Sequence, residues 1–225
     1  MRTRIFLNFL FILLLFGSPH WLPFFLFAKR YTHQRMICRG VRIVFKSWQL
    51  VILDRDGVIN YDSDDYIKSP QEWTAIPGSL AAVKRLCTLG LQVAVASNQA
   101  GIARGIFQQS DLEAIHQKML NAVEQAGGQF TTVQYCTDGP NSHSPRRKPN
   151  PGMLLEIMDT LAISAKNTLF IGDSYTDFQA AQRAKCAFAL VKTGKGQQTL
   201  ADHPELCQQV PIYADLAECV DDDFT

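Results

Sequence analysis

This sequence has no excess of charge of either sign. Over 225 residues it has 22 Lys and Arg, 21 Asp and Glu, and a formal net charge of +1. Such a balance gives no electrostatic reason for nucleic acid as a partner, and we expect none. Repeats and low-complexity tracts are missing as well, so the length predicts one compact domain with room for a small insertion.

Closely spaced cysteines are also missing. The six cysteines are scattered and include no Cys-x-x-Cys pair, which argues against a dense disulfide framework. Free thiols in a reducing compartment are the favoured interpretation, with structural disulfides as the alternative. We therefore predict a cytoplasmic location. A complete P-loop is missing too, so we interpret Gly194-Lys195-Gly196 as an ordinary turn.

Acidic and basic side chains are missing from residues 5–28, a stretch long enough to cross a bilayer. Three interpretations stay open: a true start downstream at Met36, a membrane anchor, or a cleaved secretory signal preceded by Arg2 and Arg4. If the stretch spans, the basic residues after it would keep the remaining chain in the cytoplasm. We divide the chain into an extension, 1–47, and a globular domain, 48–225, expected to be monomeric. A membrane is a partner only if the extension is real.

Short apolar runs alternate with helical patterns after Trp48. The runs predict strands over 50–53, 91–96, 131–136, 168–173 and 187–192. Helices are predicted from Ser79 to Gly90, from a capping box of Ser110 and Glu113 to Gly127, over 151–161 and over 176–184. This alternation predicts an α/β fold, a doubly wound parallel sheet of Rossmann-like type with a minimal cap.

Polar residues follow four of these strands, at the edge where open α/β sheets bind ligands. In chain order they are Asp54 with Asp56, Ser97, the loop residues Arg146, Arg147 and Lys148, and Asp173. Converging carboxylates repel one another, which predicts a cation between them, and oxygen ligands favour Mg²⁺. A hydroxyl and a lysine beside that ion would cradle a tetrahedral anion. The pattern therefore predicts phosphoryl transfer.

Chemistry assigns a role to each of these residues. Asp54 directly follows its strand and can act as a nucleophile, giving an aspartyl-phosphate. Asp56 can protonate the leaving oxygen and then deprotonate the attacking water. Asp173 would hold the metal. Ser97 and Lys148 would bind oxygens of the transferring group, so Asp54, Asp56, Ser97 and Lys148 form the predicted catalytic set.

Two further residues complete this assignment. Asp177 lies one helical turn after Asp173, either as an outer-shell partner of the metal site or as an acidic residue at a helix N-terminus. Arg147 would bind another part of the substrate.

Four motifs carry a family resemblance. They are DRDGVIN (54–60), SNQAGIARG (97–105), RKPNPGM (147–153) and IGDSYTDFQAA (171–181). They resemble the motifs of the haloacid dehalogenase superfamily, and more narrowly those of its heptose-bisphosphate and histidinol-phosphate phosphatase group, over roughly residues 48–195. The segments around 62–78 and 190–196 are closer to the heptose enzymes. The resemblance implies a Mg²⁺-dependent phosphoric monoester hydrolase that removes the 7-phosphate of D-glycero-D-manno-heptose 1,7-bisphosphate, on the route to ADP-heptose and lipopolysaccharide core.

The resemblance also implies a ligand set. Asp54, Asp173 and the backbone carbonyl of Asp56 would bind Mg²⁺. The implied substrate contacts are Asp62, Asp65, Ser97, Asn98, Gln99, Ala100, Arg147, Lys148 and Ser174, where Ser174 stands at a position that is often Lys in those enzymes. Relatives often carry a zinc loop, Cys-x-His followed by Cys-x-Cys. This chain has Cys136, Asp138, Ser144 and Arg146 there, so zinc is not expected.

Other functions stay open at this point. Histidinol phosphate or another small phosphate ester is the alternative substrate to the heptose. A receiver-like signalling domain also uses acids, Mg²⁺, a hydroxyl and a lysine on a doubly wound sheet. In such a domain the phosphorylated Asp lies on a different strand from the acidic pair, whereas no acid ends the 91–96 or 131–136 strand here. A membrane-tethered scaffold without catalysis would be supported by the extension alone.

Overall fold

The computed structural model describes residues 36–38, 41–43 and 48–224. These belong to two compact units, divided between Ser47 and Trp48. In the first unit, β1 (Met36–Cys38) pairs antiparallel with β2 (Val41–Ile43). The apolar stretch 5–28 lies outside the described residues, so its three interpretations stay predictions. Within the described part, no helix combines the length and apolar character needed to cross a membrane.

The second unit is built on a six-stranded parallel sheet. Its strands are β3 (Leu50–Leu53), β4 (Gln92–Asn98), β5 (Thr132–Cys136), β6 (Thr168–Gly172), β7 (Ala187–Val191) and β8 (Ile212–Tyr213). They lie in the order β5-β4-β3-β6-β7-β8. The chain therefore winds outward from β3 to one edge and then returns to build the other half, which confirms the doubly wound prediction. The winding reverses between β3 and β6, where such sheets bind ligands.

Helices cover both faces of this sheet. They are α1 (Ser79–Thr88), α2 (Gln109–Gln125), α3 (Gly152–Thr160), α4 (Tyr175–Ala184), α5 (Gly196–Asp202) and α6 (Leu216–Asp223). Short 3₁₀ turns occupy Ala165–Asn167 and Pro204–Gln208. Because successive side chains on a strand point to opposite faces, Val51 and Leu53 pack with α1, α2 and α6, while Leu50 and Ile52 pack with α3 and α4. The central strand thus supplies both cores and is buried throughout.

The start of α2 and the end of β4 differ from their predictions. Helix α2 starts at Gln109, and the acceptor of the capping interaction is Asp111, which takes the backbone N–H of Gln108 at 2.8 Å. The predicted pair of Ser110 and Glu113 is wrong because the N-cap is Gln108, two residues before Ser110, so the third helical position falls on Asp111. Strand β4 runs on to Asn98, which pairs with Cys136, so Ser97 lies within the strand.

Candidate active site

Two carboxylates lie at the point where the sheet winding reverses. Asp54 directly follows β3 and Asp173 directly follows β6. The register places Leu53 beside Ile171, and the backbone N–H of Asp54 donates to the Ile171 carbonyl at 2.9 Å. Asp177, in the first turn of α4, completes the cluster. One carboxylate oxygen from each of the three lies within 4.8 Å of the others.

Lys148 supplies positive charge to this cluster from a buried position. Its Nζ lies 2.9 Å from Asp54 Oδ1 and 2.7 Å from Asp177 Oδ1, and it donates to the Ala96 carbonyl at 2.9 Å. Asn98 fixes the backbone that carries it: the amide donates to the Lys148 carbonyl and accepts the Lys148 N–H, at 2.9 and 3.0 Å. The third motif is therefore joined to the end of β4 by a pair of hydrogen bonds.

The cluster has more negative than positive charge. Burial raises the pKa of Asp54 to about 7, and Asp177 and Asp56 add to this against the opposing effect of Lys148. Burial and the nearby Asp177 and Asp54 carboxylates raise the pKa of Asp173 well above its usual range. Two buried carboxylates and the half-buried Asp54 around one ammonium fit the added charge of a divalent cation with oxygen ligands.

The oxygens differ in how free they are to bind a metal. Asp177 uses Oδ1 on Lys148 and Oδ2 on Ser174, whose N–H and hydroxyl donate to it at 3.1 and 2.6 Å. This suits an outer-shell partner and a helix cap at once, the two roles left open for Asp177. Asp173 Oδ2 accepts the Lys195 N–H at 2.7 Å. Asp54 Oδ1 accepts the Arg55 N–H at 2.7 Å and lies 2.9 Å from Lys148 Nζ. The contacts of Asp54 and of Asp173 thus use one carboxylate oxygen each, whereas those of Asp177 use both, so Asp54 and Asp173 fit a metal better than Asp177 does.

The turn that contains Gly194 and Lys195, predicted to be an ordinary one, closes the site beside Asp173. Gly57 and Gly194 both have positive φ, of 80° and 56°, and a Cβ on either would collide with Asp173 Oδ2. Thr193 Oγ1 donates to the Gly57 carbonyl at 2.5 Å and joins the two turns. Residues 193–195 were missed because their local pattern is that of a common turn. Their proximity to Asp173 comes from the packing of β7 beside β6.

Asp56 is held by four N–H donors. Oδ1 accepts from Arg55 Nε at 3.0 Å and Asn60 Nδ2 at 2.8 Å, while Oδ2 accepts from Arg55 Nη2 at 2.9 Å and Gln99 Nε2 at 2.8 Å. Burial acts to raise the pKa of Asp56, but the Arg55 guanidinium and the hydrogen bonds outweigh it, so the pKa is lowered. Gln99 Nε2 also donates to Ser97 Oγ at 2.9 Å.

The predicted substrate residues divide into two groups. The first group is in contact with the site. Lys148 contacts Asp54, and Gln99 contacts both Asp56 and Ser97. Ala100, the residue after Gln99, is buried. Ser174 also contacts the site, because its hydroxyl donates to Asp177 Oδ2. The remaining three contact groups outside the carboxylate cluster. These contacts are Asp62 with Lys195 Nζ at 3.5 Å, the Asp65 carbonyl with Lys68 Nζ at 3.0 Å, and Arg147 Nη1 with the Asp138 carbonyl at 3.0 Å.

Ordinary hydrogen bonds join the residues at the four zinc-loop positions. The Cys136 thiol donates to Asp138 Oδ2 at 3.3 Å and lies 3.8 Å from Ser144 Oγ. Arg146 turns to Gln134, to which Nη2 donates at 2.7 Å, and its Nε donates to a Glu156 oxygen at 3.1 Å. The loop is thus held by a polar cluster, and the absence of zinc stays a prediction.

Comparisons with known proteins agree with this geometry. A family model described as HAD-hydrolase-like matches residues 145–219. The D-glycero-beta-D-manno-heptose-1,7-bisphosphate 7-phosphatase of Pseudomonas aeruginosa is 46% identical over 171 residues, covering 76% of this chain and 95% of the relative. The crystal structure of D,D-heptose 1,7-bisphosphate phosphatase from B. bronchiseptica, complexed with magnesium and phosphate, matches with a TM-score of 0.73 and 44% identity over 77% of this chain and 96% of that chain. The corresponding structure from Burkholderia thailandensis matches with a TM-score of 0.61 and 36% identity over 77% and 97%.

Proposed function

We propose that this chain, a phosphatase that belongs to the haloacid dehalogenase-like hydrolases, removes the 7-phosphate of D-glycero-D-manno-heptose 1,7-bisphosphate with Mg²⁺ as its cofactor. The observation that carries the proposal is the cluster of Asp54, Asp173, Asp177 and Lys148 where the sheet winding reverses. Relatives at 46% and 47% identity that carry this heptose name support the substrate. We expect a cytoplasmic monomer that acts on a small sugar phosphate, with a membrane as a further partner only if the N-terminal extension is real.

The reaction has two halves, both at Asp54. In the first, an Asp54 oxygen attacks phosphorus, the bond from phosphorus to the sugar oxygen breaks, and Asp56 gives that oxygen a proton. In the second, Asp56 takes a proton from water, the water oxygen attacks the aspartyl-phosphate, and inorganic phosphate leaves with Asp54 restored. A bound Mg²⁺, held by Asp54, Asp173 and the Asp56 carbonyl, would supply charge neutralisation for the carboxylates and the phosphoryl oxygens.

Without substrate, the surroundings of Asp56 favour its ionised form, which is the form used in the second half of the reaction. Its four N–H donors stabilise the carboxylate, which is the form that accepts a proton from water. To serve as the acid, Asp56 must first take up a proton, and the negative charge of a bound phosphoryl group favours that uptake. The same side chain can therefore change role as the phosphoryl group arrives and leaves.

A panel of phosphate esters tests the substrate. We expect the purified full chain with Mg²⁺ to show its highest kcat/KM on the heptose 1,7-bisphosphate, with phosphorus NMR identifying the 1-phosphate as the product. Asp54→Asn should abolish turnover because an amide is not a nucleophile. The matched control is Asp221→Asn, a charge removal at an exposed ion pair with Arg85, which should keep full activity. A preference for histidinol phosphate would refute the substrate proposal.

A further inference from the structure

Arg55 lies between Asp54 and Asp56 in the sequence, and its side chain has no exposure to solvent. An ionised guanidinium in a protein interior is costly unless its N–H groups are paired. Here Nε and Nη2 bind the two oxygens of Asp56 in a fork, and Nη2 also donates to Gln99 Oε1 at 3.1 Å. Nη1 has no hydrogen-bond partner among the described residues. The planar guanidinium matches a carboxylate in two places at once, which fixes its orientation as well as its charge.

Gln99 extends this arrangement to the phosphate-binding hydroxyl. Its carbonyl oxygen must face Arg55, which can only donate, and its amide nitrogen must face the Asp56 carboxylate, which can only accept. The second N–H of that nitrogen donates to Ser97 Oγ. Because the Ser97 oxygen accepts this bond, its own O–H is left to donate to another group, such as a phosphoryl oxygen.

Taken together, the four N–H donors bind both oxygens of the Asp56 carboxylate, two on each oxygen. One of these hydrogen bonds must open when Asp56 takes up the proton that it transfers. We propose that Arg55 is the positioning residue of the acid/base Asp56, and that Gln99 couples this position to Ser97. The inference rests on the proposed function, because it assumes that Asp56 transfers the proton. It assigns Gln99 to the protein side of the site and not to substrate contact, in agreement with its 3% exposure.

The dependence of rate on the leaving group is the measurement that separates positioning from folding. A proton transfer from Asp56 matters most when the departing oxygen is strongly basic, and little for p-nitrophenolate. The assay is kcat and KM for a series of substituted phenyl phosphates and an alkyl phosphate, with Mg²⁺. This series does not require the heptose to be the natural substrate.

Arg55→Met should lower kcat on the alkyl ester by about a hundredfold, the usual scale for a misplaced catalytic group, with KM nearly unchanged and a much smaller loss on p-nitrophenyl phosphate. Arg55→Lys keeps the charge without the fork, so we expect about a tenfold loss with the same dependence on the leaving group. Gln99→Met should show the same pattern, with a larger loss of kcat on the alkyl ester than on p-nitrophenyl phosphate. The matched control is Arg85→Met, which removes an Arg–Asp pair on the surface of a helix. This variant should show the same dependence of rate on the leaving group as the wild type.

The outcomes separate the inference from the function beneath it. One outcome is that Asp56→Asn makes kcat depend more steeply on the leaving group, while all Arg55 and Gln99 variants show the wild-type dependence. In that case Asp56 keeps its role and the positioning inference is wrong. If Asp56→Asn itself leaves the dependence unchanged, the acid/base assignment is wrong and the inference goes with it. Equal losses on every ester, good and poor leaving groups alike, would show that Arg55 serves stability alone.

Discussion

Metal-free protein should lose stability as the pH rises, because Asp54 is easier to protonate in the folded state than in the unfolded one. Its pKa is raised from 3.8 to about 7, first by burial. A group with a raised folded pKa stabilises the fold fully below its unfolded pKa, and that contribution is lost as the pH rises through the folded pKa. The window for Asp54 therefore runs from about pH 4 to about pH 7.

The size of this effect follows from the same two values. A tenfold change in proton affinity corresponds to about 1.4 kcal/mol. The difference between 3.8 and about 7 then amounts to at most about 4 kcal/mol between the two ends of the window. Mg²⁺ should remove most of the loss, since a ligand at about one hundred times its Kd adds about 3 kcal/mol to a fold that binds it.

Urea unfolding from pH 4 to pH 8, in EDTA and again in excess Mg²⁺, measures this directly. At each pH, the free energy of unfolding of Asp54→Asn is subtracted from that of the wild type. This difference isolates the contribution of Asp54 from those of other groups that titrate in the same range. We expect this difference to fall with pH in EDTA and to be much flatter in Mg²⁺. A difference that is flat in EDTA, or that rises with pH, would refute the account of the buried carboxylate cluster.

Three further predictions concern the turn, the loop and the N-terminus. Gly194→Ala should weaken Mg²⁺ affinity, measured by calorimetry, by more than about tenfold, because its Cβ collides with Asp173. Gly90→Ala, which also has positive φ but open space around it, should keep wild-type affinity, and equal affinities in the two variants would contradict the collision. Elemental analysis of protein purified without chelator should find no stoichiometric zinc, and zinc that disappears in Cys136→Ser would show the reverse. A chain beginning at Met36 should keep full phosphatase activity, and an intact Met1 found by mass spectrometry in a membrane fraction would defeat the downstream start.

The sequence predicted the parts of the fold that depend on local pattern. Continuous apolar runs such as 50–53 identify buried strands, and an acid directly after such a run must lie at the carboxyl edge, which is why Asp54 and Asp173 could be placed beside each other. Strand ends were less certain: Ser97 belongs to β4 because Asn98 pairs with Cys136 on the neighbouring strand, a long-range contact without a local signal.

Side-chain partners within the site could not be predicted in the same way. Gln99 and Ser174 were expected at the substrate, yet one faces Asp56 and the other caps α4. Polar side chains at a site can face either the ligand or the protein, and the choice depends on which donors other segments bring within about 3 Å. Lys195 shows the converse, because its N–H reaches Asp173 from a turn with no distinctive pattern.

The pair of hydrogen bonds between Asn98 and the Lys148 backbone has a consequence for sequence divergence. Because Lys148 is bonded directly to β4, its backbone has an anchor that lies outside residues 137–146. A change in that segment should therefore leave in place the ammonium that neutralises Asp54, as long as the two Asn98 hydrogen bonds persist.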